Sequence, residues 1–283
     1  MPRKAGMLSV EEHSRDSAGM TYVYPVVSRR AGGVSIGINL NPNNACNWQC
    51  VYCQVPNLVR GGPPPIDLIL LHGELRSFLA EIQSGKFMHD RVPVDARSLK
   101  DVAFSGNGEP TMALEFEEAV NLVIRTLDES GLLGKLKLRL ITNGSQIDKA
   151  VVRRGLAALA ANNGETWFKL DGVTPSQFAD FNGVRITTKA HLRRLRVCAE
   201  ICPTWIQSCF FMRDGRLPED SQLDAYVNAI EQLADKLAGV HLYGIARQSF
   251  QPSSERLARL PATWFEPLAE RLQALGLTVT ISP

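Results

Sequence analysis

The chain lacks any run of about 18 apolar residues, the length that a membrane-spanning helix needs. It also lacks an apolar stretch after Arg3 and Lys4, so its beginning does not resemble a secretory signal. We therefore expect a cytoplasmic protein with no membrane partner, in a compartment where thiols stay reduced. In that compartment the 6 cysteines predict metal or redox chemistry and not disulfides.

The chain also has little excess of either charge. Its 31 lysines and arginines face 29 aspartates and glutamates, a net charge of +2 that neither demands nor forbids a nucleic-acid partner. Apolar residues make up 45% of the 283 residues and charged residues 21%, which excludes a disordered or fibrous protein.

Strand-like runs alternate with helical patterns along most of the chain. A polar arm is predicted over residues 1–33, and a helix–strand extension over residues 248–283. Asp67 is the predicted N-cap of a helix that ends at Gly85. The clearest later helical stripe runs from Leu223 to Leu237. The predicted strands are Val34–Leu40, Lys100–Ser105, Lys135–Thr142, Thr166–Asp171, Thr204–Phe211 and Val240–Ala246, and after a helix at Ala262–Leu275 a last strand covers Leu277–Ile281.

Six βα units in a row predict an α/β fold with a parallel sheet and right-handed crossovers. Six is fewer than the eight units of a closed TIM barrel. The hydrophobic pattern therefore leaves two architectures open, a six-stranded partial barrel and a doubly wound sheet.

Three cysteines follow the first predicted strand closely. Cys46, Cys50 and Cys53 have C-x3-C-x2-C spacing, so one loop brings three thiolates to a single centre. A [4Fe–4S] cubane normally takes four thiolates, and three leave one iron open for a ligand. The alternatives are a zinc site with a distant fourth ligand and three buried thiols without metal. No histidine lies close to another histidine or to a cysteine, which disfavours zinc.

At this loop the chain resembles the radical S-adenosylmethionine (SAM) superfamily. The resemblance covers residues 34–247 and implies a partial (β/α)6 barrel of the TIM-like type. It implies a [4Fe–4S] cluster on Cys46, Cys50 and Cys53, with SAM on the open iron and Tyr52 near the adenine. Reductive cleavage of SAM would then give a 5′-deoxyadenosyl radical that abstracts hydrogen from a substrate.

Two later turns fit the same resemblance. In FSGNGEPT, the residues Gly106, Gly108, Glu109 and Pro110 match a segment that binds the SAM amino group through backbone and carboxylate. Glycine lets a backbone approach a ligand closely, and a carboxylate suits an ammonium. In ITNGS, the polar groups of Thr142, Asn143 and Ser145 would contact the ribose. Both segments are also compatible with ordinary turns after strands.

Lys169 and Asp171 end the fourth predicted strand, where catalytic residues of barrels collect. A simple surface ion pair is the alternative. The segment NPNNACNWQCVYCQ, the upstream Ser28-Arg29-Arg30 and VHLYGIAR resemble the tRNA wyosine synthetases. That resemblance implies a tRNA substrate and a Schiff base on Lys169. Those enzymes carry a second cluster on N-terminal cysteines, whereas this chain has no cysteine before Cys46.

Several questions stay open at the level of sequence. The substrate class is a small molecule, tRNA or protein, and the electron donor would be a reductase or a flavodoxin-type protein. One alternative function is an activase of glycyl-radical enzymes, and another is a non-catalytic iron–sulfur or zinc protein. Cys198, Cys202 and Cys209 fit either an auxiliary cluster or buried apolar positions. Arg213 and Arg247 would bind a carboxylate or lie at a solvated rim.

Overall fold

The computed structural model describes residues 7–9, 19–28 and 31–283. Within that part of the chain the main sheet has 8 strands, and their spatial order follows the order of the sequence. The strands are β1 (Val23–Ser28), β2 (Gly33–Ile38), β3 (Leu99–Phe104), β4 (Lys137–Thr142), β5 (Gly164–Lys169), β6 (Thr204–Cys209), β7 (Gly239–Tyr243) and β8 (Val279–Ser282).

All neighbouring strands from β2 to β8 are parallel, and only β1 runs antiparallel, against β2. Helices occupy each connection between successive parallel strands, as βαβ units require. The sheet curls into a half barrel, which confirms the predicted partial barrel and excludes the doubly wound sheet. The helices are α1 (Leu68–Gln83), α2 (Lys86–Arg91), α3 (Phe116–Glu129), α4 (Ala150–Ala161), α5 (Pro175–Asn182), α6 (Thr188–Ile201), α7 (Asp220–Glu231) and α8 (Phe265–Gln273).

Local signals explain the helix boundaries. Asp67 caps α1 by accepting a hydrogen bond from the Leu70 N–H at 2.9 Å, as predicted. The buried face of α1 is the predicted apolar stripe, which packs on the sheet: Leu71, Leu75, Phe78, Leu79 and Ile82. Thr174 and Gln177 form a capping box at the start of α5, and Gly183, with φ of 66°, ends it.

The core lies between the sheet and the surrounding helices. Every residue of β2 is buried, as is typical of a parallel strand covered on one face by helices and on the other by the barrel interior. The largest fully buried side chains come from both layers and include Phe104, Phe116, Phe168 and Phe265. Among the described residues, no helix has the length and hydrophobicity to cross a lipid bilayer.

Strand β1 corrects the interpretation of residues 1–33 as a polar arm. Five of its six residues are buried against β2 and α1. Pro25 interrupts this run in the sequence, and proline is tolerated here because β1 is an edge strand. Arg29 and Arg30 lie outside the described residues, as do residues 1–6 and 10–18 of the arm. The region boundaries at residues 33 and 247 stay predictions.

Smaller differences concern element ends. The predicted strand at 240–246 stops at Tyr243, and the predicted helix at 223–237 stops at Glu231 before a 3-10 turn at Ala234–Lys236. The predicted C-terminal helix begins as a 3-10 turn, Ala262–Trp264. Strand β8 pairs with β7, so the C-terminal extension contributes a strand to the main sheet.

Candidate active site

A cavity of about 320 Å³ opens within the curl of the sheet. Residues from four predicted motifs line it, among them Cys50, Cys53, Tyr52, Gly106, Gly108 and Lys169. The motifs lie where parallel strands end, at the edge of a barrel that carries catalytic groups. The cavity therefore brings together part of the predicted site. The other predicted site residues are not among those that line it: Cys46, Glu109, Pro110, Thr142, Asn143, Ser145 and Asp171.

The cysteine loop is tied to the turn after β4. The Asn47 amide donates to the Ser145 hydroxyl at 2.8 Å. The Asn143 amide donates in return to the Asn47 side-chain oxygen at 2.9 Å. Asn143 also accepts a bond from the Ser145 N–H at 3.0 Å. Asn143 and Ser145 thus position the loop that carries the cysteines.

A segment after β7 holds the other side of the same loop. The Ser249 hydroxyl lies 2.7 Å from the Val51 carbonyl oxygen and 3.0 Å from the Cys53 carbonyl oxygen. The Phe250 N–H donates to the Cys53 carbonyl at 3.0 Å, and the Gln251 amide donates to the Val55 carbonyl at 3.2 Å. We call residues 249–251 the strap.

Each of the three thiols of the loop is reduced and partly accessible. Burial raises the pKa of the Cys46 thiol to about 12, and it raises the pKa of Cys50 further. Hydrogen bonds to sulfur oppose this effect, from the Trp48 N–H to Cys46 at 3.4 Å and from the Asn182 amide to Cys50 at 3.3 Å. Buried thiolates need a positive centre, and a metal cluster provides one.

Three cysteine thiols carried by one loop suit the thiolate ligation of an iron–sulfur cluster. Across the described ranges, no three histidine, cysteine, aspartate or glutamate side chains are grouped to hold one ion. The thiolates of a cubane bind different iron atoms, so they stand farther apart than the ligands of one ion. Cys46, Cys50 and Cys53 share one loop, and N–H groups donate to the sulfurs of Cys46 and Cys50, as outer partners of metal ligands do. Their role as cluster ligands stays a prediction.

Glu109 is buried, and both of its oxygens accept hydrogen bonds from the protein. Oε1 accepts from the hydroxyls of Thr111 at 2.5 Å and Thr142 at 2.6 Å, and from the Thr111 N–H at 3.2 Å. Oε2 accepts from the Asn143 N–H at 2.6 Å. Burial raises the pKa of Glu109, and these donors lower it. Glu109 therefore joins the turns after β3 and β4.

The glycines of the same turn are required by close approach to other strands and loops. A Cβ on Gly106, whose φ is 155°, would overlap the Asn39 side chain. A Cβ on Gly108 would overlap the Ala45 carbonyl oxygen, just before Cys46. Pro110 opens a 3-10 turn, Pro110–Met112, behind the cavity wall. The turn and the cysteine loop are thus packed backbone to backbone.

Lys169 and Asp171 form a buried polar cluster with two tyrosines. The Lys169 ammonium lies 3.1 Å from Asp171 Oδ1 and donates to the Tyr243 hydroxyl. It lies 4.9 Å from the Tyr52 ring centroid and 4.6 Å from that of Tyr243. The Tyr52 hydroxyl donates to Asp171, and burial raises the pKa of Tyr52. The Lys169 side chain is 12% exposed and Asp171 is 0% exposed, so they are not a surface pair.

The remaining cysteines do not form one ligand set. Cys198 and Cys202 are buried in the main core before β6, whereas Cys209 ends β6 and lines the cavity. A strand rises about 3.3 Å per residue, so the length of β6 separates the pair from Cys209 by roughly 20 Å. Burial raises the pKa of Cys198 to about 12 and of Cys202 to about 11. Cys198 and Cys202 therefore occupy buried apolar positions, the second of the two alternatives left open by the sequence.

The sequence of the chain is only distantly similar to those of curated proteins. No family model matches the chain. Its curated relatives include GTPase Obg of Brachyspira hyodysenteriae, 24% identical over 168 residues, and UPF0026 protein MJ1312 of Methanocaldococcus jannaschii, 28% identical over 159 residues. Each match covers 56% of this chain, and the matches cover 21% and 42% of those proteins. The matched regions therefore span less than half the length of either relative.

The solved structures are more informative about architecture. A radical SAM methyltransferase from Sphaerobacter thermophilus superposes with a TM-score of 0.60 and 14% identity, over 92% of this chain and 68% of that one. TYW1 with a bound lysine–pyruvate adduct gives 0.57 and 17%, over 86% and 74%. The chain anSMEcpe with bound AdoMet gives 0.56 and 17%, over 87% and 63%. The chain has the radical SAM fold.

The radical SAM fold of this chain includes functional candidates that the sequence motifs missed. Asn182 contacts both Cys50 and Asp171, and Tyr243 contacts Lys169. Asn182 belongs to no motif quoted from the sequence, and it lies 132 residues from Cys50; its one sequence signal is that it precedes a helix-terminating glycine. Tyr243 lies within VHLYGIAR, but that motif indicated no contact with Lys169, which is 74 residues away.

Deeper in the radical SAM fold, polar side chains line the cavity. Arg139 is bonded to Asp101, its Nε donates to Glu165 at 2.7 Å, and its guanidinium lies 4.8 Å from the Trp167 ring. The Ser35 hydroxyl completes the cluster by donating to Asp101. The register of β3 and β4 places Lys137 opposite Asp101 and Ala103 opposite Arg139, so the contact between Asp101 and Arg139 is diagonal across the two strands.

The two arginines predicted near the strand ends differ in position. Arg247 lines the cavity, and its Nε donates to the Gln54 side chain at 2.8 Å. Arg213 lies in a two-residue strand that pairs with Leu257–Ala258, outside the cavity wall. Arg247 therefore remains a candidate for binding an anionic group, whereas Arg213 belongs to the outer hairpin.

Proposed function

We propose that this protein is a radical SAM enzyme in which Cys46, Cys50 and Cys53 hold a [4Fe–4S] cluster. One observation carries the proposal. The cysteine loop, the turn at Gly106–Gly108 and Lys169 share one cavity in a fold common to radical SAM enzymes. The neighbour anSMEcpe binds AdoMet, and the proposal extends that cofactor to this chain.

When bound, the cluster supplies the electron that cleaves SAM and produces the hydrogen-abstracting radical. The residues of the chain position the reactants around it. Gly106 and Gly108 bring bare backbone into the cavity wall, which suits contact with the amino-acid part of SAM. Asn143 and Glu109 hold that wall together through the bonds described above, so we assign them to positioning. Thr142 and Ser145 act in the same way, and Pro110 fixes the turn.

Lys169 and Asp171 are the proposed catalytic pair on the substrate side. Lys169 lines the cavity, while Asp171 lies behind it and fixes the ammonium at 3.1 Å. The aromatic faces of Tyr52 and Tyr243 restrict the lysine chain further. A cation held in this way would bind a substrate oxygen, and, on losing a proton, its amine would attack a carbonyl carbon.

The decisive experiment is anaerobic reconstitution with iron and sulfide, followed by reduction in the presence of SAM. We expect absorbance of a cluster and formation of 5′-deoxyadenosine and methionine. Cys50→Ala should lose both signals together. Cys198→Ala, at a buried thiol outside the loop, should keep both. Retained cleavage in Cys50→Ala, or a wild-type protein that binds zinc and leaves SAM intact, would overturn the proposal.

A wyosine-type reaction is the finer candidate, favoured by the position of Lys169 in the cavity wall. TYW1, whose fold this chain shares, carries a lysine–pyruvate adduct. If Lys169 acts in the same way, its amine and the ketone of pyruvate condense to an imine with loss of water, and added borohydride reduces that imine. Mass spectrometry should find the adduct on Lys169 and none in Lys169→Arg. An unmodified Lys169 at saturating pyruvate would reject the wyosine-type reaction and leave SAM cleavage untouched.

The proposed partners follow from the same chemistry. Cluster reduction needs a one-electron donor, so we propose a flavodoxin-type protein or a reductase in the cytoplasm. Transfer of deuterium from a labelled substrate into 5′-deoxyadenosine would identify the substrate class among small molecules, tRNA and proteins. A stable glycyl radical on a co-purified protein would instead indicate an activase. The chain has no G-x4-G-K-[ST] segment, so nothing in its sequence supports GTP hydrolysis.

A further inference from the structure

Asn182 is the last residue of α5, and its side chain is fully buried between two groups of the proposed active site. Its amide nitrogen lies 3.3 Å from Cys50 Sγ and 2.9 Å from Asp171 Oδ2. A primary amide has two N–H groups, so one nitrogen donates to both acceptors. Asn182 thus connects a proposed cluster ligand to the proposed catalytic pair.

The orientation of this amide is determined by its neighbours. Exchanging its nitrogen and oxygen would place an acceptor against the Asp171 carboxylate, with no hydrogen between them. The Asn182 oxygen is buried, and no group of the described residues donates a hydrogen bond to it. An unpaired buried acceptor is costly. The amide therefore satisfies the sulfur and the carboxylate at the expense of its own oxygen.

Backbone bonds fix the amide in place. The carbonyls of Phe181 and Asn182 accept from the N–H groups of Val51 and Gln49, at 2.8 Å and 2.9 Å. These two residues flank Cys50 on either side. The end of α5 and the cysteine loop therefore move as one unit, and the N–H to sulfur distance is set by the fold.

Donors at sulfur have a known electronic effect on iron–sulfur centres. A hydrogen bond to a ligating thiolate withdraws negative charge from it, and the reduction potential of the cluster depends on such bonds. The withdrawn charge makes an added electron more favourable. Asp171 acts in the opposite direction because its carboxylate lies close to the same site. An amide between the two anions reduces their repulsion.

We propose that Asn182 is a positioning residue that raises the reduction potential of the cluster while it fixes Asp171 beside Lys169. The inference rests on the proposed function only in taking Cys50 as a cluster ligand. The Asn182 amide would thus affect two properties. One is the reduction potential of the cluster, and the other is the position of Asp171 relative to Lys169.

The test is a redox titration of the reconstituted protein, followed by electron paramagnetic resonance of the reduced cluster. Asn182→Leu preserves most of the side-chain volume and removes both donors. At the potential where the wild-type cluster is half reduced, we expect the ratio of reduced to oxidised cluster to fall about tenfold, which corresponds to about 59 mV for one electron. Asn182→Asp replaces the donors with a second carboxylate beside that of Asp171 and should lower the ratio further.

Thr174→Ala is the matched control because it weakens the capping box of α5 and leaves the amide at the other end intact. It should not move the potential. If Asn182→Leu fails to retain iron, Asn182→Ser keeps one hydroxyl donor and should give a smaller shift in the same direction.

The outcomes separate the two proposals. An unchanged potential in the Asn182 variants, with a normal cluster, overturns this inference alone. A wild-type cluster that does not cleave SAM overturns the proposed enzyme, while the redox comparison still decides the role of Asn182. A wild-type chain that binds no cluster overturns both.

Discussion

Glu109 gives the sharpest test at the scale of one residue, because its carboxylate accepts four hydrogen bonds from the protein. In Glu109→Gln, one end of the side chain becomes a donor that faces other donors. We expect the free energy of unfolding to fall by roughly 2–3 kcal/mol, the cost of buried polar groups left unpaired. Chemical denaturation measures this change.

The control for Glu109 is Glu118→Gln on the exposed side of α3, which should leave the unfolding midpoint unchanged. Equal stability of the two variants would show that Glu109 is available for a ligand and does not join the turns. The sequence motif marked Glu109 as a SAM-binding residue, and that role stays a prediction. It could not show that both carboxylate oxygens are bonded within the protein.

His191 predicts a pH dependence. Its Nε2 lies 3.0 Å from the Lys169 carbonyl oxygen, and aromatic rings surround it. Its pKa is lowered from 6.5 to about 4, mainly by burial and to a smaller extent by Arg194, while the Lys169 carbonyl and Asp171 act in the opposite direction. Between those two pH values the unfolded chain binds a proton that the folded chain does not. Stability should therefore be complete above pH 6.5 and decrease as the pH falls to about 4.

His191→Phe removes that proton-binding site and should flatten the pH dependence of unfolding in this window. The loss attributable to His191 is of the order of 3 kcal/mol at pH 4. Unfolding free energies measured in urea at pH 4, 5.5 and 7 provide the comparison. Parallel curves for the two proteins would assign the acid sensitivity to other groups.

At the scale of elements, two glycines lead to opposite predictions. Gly73 lies in the interior of α1 on its exposed side, and a Cβ there meets nothing within 4 Å. Gly73→Ala should stabilise the protein by about 0.5–1 kcal/mol through helix propensity. Gly108→Ala would drive a methyl group into the Ala45 carbonyl. We expect it to destabilise the protein by roughly 1–3 kcal/mol and to reduce the iron bound on reconstitution.

Thermal unfolding and an iron assay check both glycine variants. If Gly108→Ala binds iron as well as Gly73→Ala does, the turn at residue 108 does not support the cysteine loop. The sequence places Gly73 inside a predicted helix and Gly108 in the motif FSGNGEPT, but it does not give the space around either Cα atom. Only the structure separates the one that tolerates a side chain from the one that does not.

The elements that the sequence predicted well have local signals. Helix α1 has an N-cap, an apolar stripe and a terminating glycine within residues 67–85, so nothing distant was needed. Strand β1 lacks such signals, since Pro25 breaks its pattern and its place comes from pairing with β2. The features of the candidate site likewise fall into those with a local sequence signal and those that depend on distant residues. The spacing of Cys46, Cys50 and Cys53 is local, whereas the contact of Asn182 with Cys50 joins positions 132 residues apart.

At the scale of the whole molecule, the half barrel encloses charge as well as apolar side chains. Arg139 lies between Asp101 and Glu165, with side-chain exposures of 15%, 2% and 12%. Burial raises the pKa of Asp101, and Arg139 lowers it. Arg139→Met would leave two carboxylates inside the barrel without their cation. We expect a loss of roughly 3–5 kcal/mol of stability, measured by chemical denaturation.

Arg154→Met is the matched control because Arg154 pairs with Glu117 on the exterior of the helical layer. Exposed pairs contribute little, so its unfolding midpoint should stay at the wild-type value. Similar destabilisation of both variants would mean that the interior cluster is solvated. The sequence showed the charges of both pairs but gave no indication of which pair the curled sheet would enclose.

The strap at residues 249–251 has a consequence for the order in which the protein is synthesised and assembled. Ribosomes deliver the cysteines early, but the partners of the Val51 and Cys53 carbonyls are synthesised about two hundred residues later. The nascent chain therefore cannot assemble this loop in its final form. Under the proposed function, insertion of the cluster would therefore follow the release of residues 249–251 from the ribosome, and maturation would be a late event that does not accompany translation.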